Sequence, residues 1–419
     1  MILFNRLMKA VLTRTRRLAN SFVLNLMVRR LRSRPRDSTA VQSIVIVRPD
    51  HLGDFVLTTP LFKALRRKFP SAKVQLIATA VIAPLAVGCP DIDTVVVIPR
   101  GFTCWRPYLE IPLFTTMRIA WFALRTIRPL RPDMLVLPRV DADWYGSIWM
   151  AAFSGASRRF GFSESTTRWS ADNNRGSDRV FTDIVRTAPG THEVESLRAL
   201  ARHMELPTET WSTYLWWSSS DEELVEKIFS VVRDHPTVVF APGAADDRRR
   251  WPASRFGEAG RALESAGFRI AIVGGPSDVE CAEEILSCMT PGIHLNLAGK
   301  LSLQQTAAAL ARCTIFVGND SGPMHMAAAV RLPCVEISSF PVNGDASHVN
   351  SPSRFGPWAV RSIVVQPQSS LPPCEGHCRD SRAHCILQIT SDQVRDAVVD
   401  LMGRLERVSW CGAPDGGSS

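Results

Sequence analysis

Short apolar, β-branched runs recur along the chain, each closed by glycine or proline and followed by a stretch with helical spacing. Residues 44–47, 74–78, 94–98 and 134–137 predict strands, with an amphipathic helix over 59–69 after the first. A second helix is predicted over 192–206. Residues 207–220, rich in Thr, Ser and Trp, read as a linker, after which 237–240, 269–273, 294–297, 314–317 and 334–337 predict a second set of strands. Strands alternating with helices imply parallel sheets covered on both faces. The expected class is therefore α/β, with Rossmann-like units over 41–206 and 221–366, an arm over 1–40 and a C-terminal segment and tail over 367–419. The Trp- and Pro-rich residues 101–112 interrupt the pattern and are expected to cap a cleft or meet an acceptor.

Three strand ends carry candidate chemistry. After 315–317 come Gly318 and Asn319, which break the strand, and then Pro323, which suits a first helical turn because its missing N–H costs nothing there. Asp320 or Ser321 stands where a helix N-cap belongs. Bare N–H groups at that helix start, approachable over Gly322, suit a phosphate, and His325 would project toward the same ligand. The ordinary alternative is a well-capped helix with a surface histidine. After 237–240, the loop Pro242-Gly243-Ala244-Ala245 leads into Arg248-Arg249-Arg250-Trp251-Pro252; its small residues would let amides reach a diphosphate that the arginines neutralise. The alternative there is a solvated surface turn. After 44–47, Leu52-Gly53-Asp54 reads as a turn before a helix, with His51 nearby. A carboxylate in that place can take a proton from an attacking hydroxyl, or cap the helix, or do both.

Composition refines this picture. With 419 residues and 45% apolar content the chain can build two cores. Its net charge of +9 is uneven: residues 1–36 carry ten Arg or Lys and no acid, leaving the rest near −1. Leu, Phe, Val and Met interleave with those cations, so the arm predicts a helix lying on an anionic membrane surface. A disordered basic extension or a nucleic-acid tail is the alternative; no nucleic-acid partner is expected. No apolar run approaches the roughly 18–20 residues that span a bilayer, and 21–28 is too short, and lacks the cleavage site, for a secretory signal. Ten scattered cysteines suit a reduced cytosolic protein, peripheral on a membrane at most. One group stands apart: Cys374, His377, Cys378, His384 and Cys385 could form a metal clip if four of them converge, or could simply pack the C-terminal segment.

Together, the Leu52-Gly53-Asp54 turn with Thr58-Thr59-Pro60, and Asp320-Ser321-Gly322 with His325, resemble glycosyltransferase family 9, the heptosyltransferases that use ADP-heptose. The resemblance spans about residues 41–399. It implies the GT-B architecture, two Rossmann-like domains facing across a cleft. It also implies inverting transfer of a sugar, heptose in this family, from a nucleotide diphosphate donor to a lipopolysaccharide-core or related glycan. Asp54 takes the place of the catalytic base. Gly243, Ala244, Ala245, Arg249, Asp278, Asp320, Ser321, Gly322 and His325 take donor-binding places, with Asp278 or Glu280 toward the ribose and Lys300 near the adenine. Residues 151–162 look like the family's small-residue helix end and basic turn. Two departures matter: Ala245 stands where a hydroxyl residue is usual, and Arg249 replaces a lysine, keeping the charge and adding a fork. Asp141-Ala142-Asp143 has metal-pair spacing but falls in the acceptor half, so metal-independent transfer with no cofactor is expected. The competing readings are a membrane-held nucleotide-sugar-binding protein without catalysis, and a sugar-nucleotide epimerase of the same architecture.

Overall fold

The computed structural model describes residues 2–31, 40–102 and 110–410, with side chains described for 11–26, 40–102 and 110–405. The greater part of the 101–112 segment expected to meet an acceptor lies outside the described residues, as do 32–39 of the arm and 411–419 of the tail. The chain divides into two compact units, Met1–Trp211 and Ser212–Ser419.

In the first unit, β1 (Ser43–Val47), β2 (Lys73–Ala78), β3 (Thr94–Val97), β4 (Met134–Val136), β5 (Arg158–Phe162) and β6 (Asp183–Val185) form one sheet in the order β3-β2-β1-β4-β5-β6. In the second, β7 (Thr237–Ala241), β8 (Arg269–Ile272), β9 (Leu295–Asn296), β10 (Ile315–Asn319), β11 (Cys334–Ile337) and β12 (Ser362–Val365) give β12-β11-β10-β7-β8-β9. Every pairing is parallel. Both sheets thus have the doubly wound Rossmann order. Each reverses direction beside its own first strand, at β1/β4 and at β7/β10. The nearly continuous apolar runs follow from burial on both faces: Ile44 through Val47 and Val238 through Phe240 are fully buried.

Two local expectations are corrected. The helix predicted from residue 59 spans Leu52–Lys68, so Leu52, Gly53 and Asp54 form its first turn and do not precede it. Pro60, inside this helix, cannot donate to the Val56 carbonyl, and the Thr59 hydroxyl donates to that oxygen at 2.7 Å instead. The basic turn expected near 158 is strand β5, reached from the helix Ser147–Phe153. Arg159 is tolerated there, buried, because Nε donates to Val180 O and NH1 to Ala156 O, each at 2.6 Å.

The arm contains the helix Ile2–Leu31, which packs on the helices Leu113–Phe122 and Ser147–Phe153 of the first unit. Asn20 and Leu24 are buried in that contact, and Asn20 Nδ2 donates to Ile111 O at 2.9 Å. Val11, Leu12, Leu18, Phe22 and Leu26 remain exposed. In the second unit the helix Ser391–Trp410 closes the core, with Val394, Val398 and Leu401 buried alongside Phe256, Ile272 and Val335.

Candidate functional site

The chemistry gathers where each sheet reverses. At the end of β1 the chain delivers Arg48, which is fully buried. A buried guanidinium cannot shed its proton and must be surrounded by acceptors. NH1 donates to Pro138 O at 2.5 Å and lies 3.0 Å from Asp50 Oδ2. NH2 faces Asp54 Oδ1 and Glu193 Oε1, both at 3.4 Å. Glu193 opens the helix Glu193–His203, and Arg139, from the loop after β4, pairs with Asp50 from the other side.

The carboxyls in this network differ in solvent access and in proton affinity. Asp50 is buried, and burial pushes its carboxyl up despite the opposing charges of Arg139 and Arg48. Asp54 keeps 20% of its side chain exposed. Burial also acts against its charge, but Arg48, Arg139, His51 and the His51 N–H outweigh it and hold the carboxyl below the usual aspartate range. That N–H donates to Asp54 Oδ2 at 3.2 Å, so Asp54 ties down the helix entry from its third residue, with His51 at the cap. The network therefore presents one ionised carboxylate to solvent. Beside it, Arg139, Asp141, Asp143 and Asn174 line a shallow hollow. Asp143 receives the N–H groups of Tyr145 and Ile148 at 3.1 and 2.8 Å, and Asp141 receives the Thr167 hydroxyl at 3.2 Å.

In the second unit β7 and β10 run side by side, with Ala241 opposite Gly318, so their loops leave from the same edge. Asn319 joins them: its Nδ2 donates to Pro242 O at 2.6 Å and its Oδ1 accepts from Trp251 N–H at 3.2 Å. Gly243 leaves room for the Asp278 carboxylate, which would have to shift to admit a Cβ 2.6 Å from its Oδ2. Ala244 is buried and its carbonyl accepts from Arg250 Nε at 2.9 Å, while Ala245 is exposed. Asp246 caps the single turn Asp247–Arg249 by accepting from Arg248 N–H at 3.2 Å. Arg249 NH1 then reaches Asp320 Oδ2 at 3.1 Å, which brings the arginine loop to the start of the helix Gly322–Ala329. Asp320 thus pairs with Arg249, and Ser321 holds the cap position without a side-chain cap bond. Among the described residues Arg249 Nε and Ser321 Oγ are buried without a hydrogen-bond partner.

Of the remaining expected residues, His325 is buried and so is not a surface histidine. Asp278 is buried beneath Gly243 and Gly274, accepts from Gly275 N–H at 2.9 Å and lies 3.8 Å from Arg250. Glu280 and Lys300 are exposed. Residue-by-residue reading missed Arg48, Asp50, Arg139, Glu193, Asn319 and Glu336. Burial and the nearby Asp320 push the Glu336 carboxyl well above its ordinary range, so it does not cancel the positive loop. One signal was available: Arg48 is a cation directly abutting a continuous apolar strand.

The sequence model of glycosyltransferase family 9 (heptosyltransferase) matches residues 146–381. Lipopolysaccharide heptosyltransferase 2 of Escherichia coli is 27% identical over 305 residues, covering 70% of this chain and 82% of its own. The Salmonella typhimurium protein of the same name is 26% identical over 301 residues, with the same coverage of 70% and 82%. Among solved structures, a family 9 glycosyl transferase from Veillonella parvula superposes with a TM-score of 0.66 at 20% identity, covering 88% of this chain and all of its own. The E. coli ADP-heptose lps heptosyltransferase II gives 0.63 at 21% identity, covering 87% and 100%.

Proposed function

Because the chain belongs to glycosyltransferase family 9, the match covering more than half of it, we propose that it transfers heptose, with inversion, from ADP-heptose to a sugar of a lipopolysaccharide core. The names of its relatives support donor and acceptor. The observation that carries the reading is Asp54, ionised and partly exposed at the strand reversal of the first unit. Asp54 takes the proton of the acceptor hydroxyl as that oxygen bonds to the anomeric carbon, and the bond from that carbon to the diphosphate breaks on the opposite face. Negative charge grows on the departing ADP. Arg249, the amides of Gly243 to Ala245, the Ser321 hydroxyl and the helix start at Gly322 receive it.

These groups supply the positive charge, so the transfer needs no divalent ion. The oxygens of Asp143, in the Asp-x-Asp pair, are already occupied by backbone N–H groups. The protein acts on the cytoplasmic face of the inner membrane, held by its arm. Among the described residues no helix is long and apolar enough to cross a membrane. The exposed Val11, Leu18, Phe22 and Leu26, flanked by the exposed Arg14, form a stripe suited to an anionic surface, while Arg17 pairs with Glu110 of the first unit. Incubation with ADP-heptose and a crude lipopolysaccharide-core acceptor in EDTA should release ADP and lengthen the glycan. Turnover only with another nucleotide sugar, or only with added Mg²⁺, would overturn the donor or the metal-independent mechanism respectively.

A further inference from the structure

Beyond the transfer site, the segment after β12 gathers three thiols and an imidazole. Cys374, Cys378 and Cys385 are buried, His384 is half-buried, and one ligating atom of each lies within 4.8 Å of all the others. His384 Nδ1 stands 3.6 Å from Cys374 Sγ and 3.5 Å from Cys385 Sγ. A tetrahedral zinc with Zn–S near 2.3 Å and Zn–N near 2.0–2.1 Å has sulfur-to-nitrogen edges of about 3.5–3.6 Å. The two Sγ–Nδ1 separations are those of ligands around a single ion. A disulfide would use two of the thiols and strand the third beside the imidazole.

The backbone fits the same purpose. Gly376, at φ +68°, reverses the chain between Cys374 and Cys378, so both sulfurs face one point. The Arg379 N–H is directed at Cys374 Sγ at 3.3 Å, a donation that steadies a thiolate. Leu371 packs on the cluster and keeps water from one side. His377, the fifth residue of the sequence group, stacks on His348 with ring centres 4.3 Å apart and takes no part.

We propose that Cys374, Cys378, His384 and Cys385 bind one Zn²⁺ as a structural clip. The four ligands close the coordination sphere, leaving no open position for chemistry. What the clip fastens is visible at its edges. Arg248 NH1, from the arginine loop, donates to Cys378 O at 3.3 Å. Just beyond Cys385, Trp251 Nε1 and Arg255 NH1 donate to Ile389 O at 3.0 and 2.5 Å. The metal would thereby hold the backbone against which the loop bearing Arg249 is braced.

The test is metal analysis of the full chain purified without added metal. One zinc per chain is expected, and replacement by Co²⁺ should give the visible bands of a tetrahedral ion with thiolate charge transfer. Cys378→Ser and Cys385→Ser should lose the zinc, while Cys281→Ser, outside the cluster, should retain it. Should the cluster variants fail to fold, the native chain still decides: titrating its thiols with a mercurial should release zinc in step with three cysteines. A metal-free chain whose three thiols react freely, a disulfide among them by mass spectrometry, iron in place of zinc, or zinc retained in both cluster variants would overturn the proposal.

Discussion

The two strand reversals share a topology and differ in sign. At β1/β4 a buried cation, Arg48, is enclosed by Asp50, Asp54 and Glu193, and what reaches solvent is a carboxylate. At β7/β10 the order is inverted: Asp278 lies beneath the loop, Asp320 braces Arg249, and the Arg249 Nε edge and the Ser321 hydroxyl at a helix start are left, among the described residues, without a hydrogen-bond partner. The same backbone solution therefore presents a carboxylate in one unit and a cationic loop beside a helix start in the other. The sign depends on which partner is placed in the core.

The largest effect should come from removing the charge that the first unit presents. Asp54→Asn keeps the hydrogen bond from His51 but cannot accept a proton, so kcat should fall by about 10²- to 10⁴-fold with ADP affinity unchanged. Full turnover in this variant would remove Asp54 from the mechanism. In the native chain the lowered carboxyl implies that kcat/KM stays flat through the weakly acidic range and falls only below the ordinary aspartate value of about 3.9. The stability linkage has the same sign. With a depressed folded-state value, Asp54 stabilises the fold above its unfolded value, and that contribution is lost as pH drops through the folded one. Asp50, raised by burial, works oppositely, its penalty growing as pH rises past the unfolded value.

Next in size is the hidden partner. Arg48→Met leaves buried carboxyls without their cation and should cost about 3–5 kcal/mol in urea unfolding. It should also move the acid limb of the rate profile upward, since Arg48 is the foremost group holding Asp54 down. Adding Glu193→Gln should recover part of the lost stability. If the single variant is as stable as the native chain, the contrast between the two units loses its electrostatic basis.

Arg249→Ala sharpens the other side. If Arg249 donates to the diphosphate as proposed, its loss should weaken ADP binding by about 1.5–3 kcal/mol, read by calorimetry. Arg249→Lys should restore a part, because it returns the charge without the second arm of the fork, the first being engaged by Asp320. An unchanged Kd in Arg249→Ala would place the nucleotide elsewhere.

How much of this was legible depends on the range of each interaction. Strands buried on both faces announce themselves as apolar runs, so β1, β7 and β10 could be read directly. Strand β5 could not, because Arg158 and Arg159 break its run and the carbonyls that satisfy Arg159 lie elsewhere in the fold. The helix start at Leu52 was hidden by Thr58-Thr59-Pro60, a sequence that looks like a helix entry until the Thr59 hydroxyl is seen closing on Val56. The placement of Asp54, Arg249 and Ser321 just beyond strand ends was legible because each belongs to a local strand-end motif. The Arg48–Glu193 pair joins residues 145 apart in the chain, and no local pattern encodes it.

The smallest effect tests the finest detail of the cradle. Ala245 is exposed at the turn between the buried Ala244 and the capping Asp246, where the family resemblance leads one to expect a hydroxyl. A serine there meets no packing constraint, so Ala245→Ser should change stability by less than about 0.5 kcal/mol. If this loop lies against the diphosphate, the new hydroxyl can donate to a phosphate oxygen and tighten ADP binding by about 0.5–1.5 kcal/mol. Unchanged affinity would mean that the anion is held by Arg249 and the helix start at Gly322 alone. Weaker binding would mean that the ligand already fills the space a hydroxyl needs. Because Ala245→Ser adds a group without removing a charge, its outcome bears on the shape of the cradle and leaves the sign contrast between the two units intact.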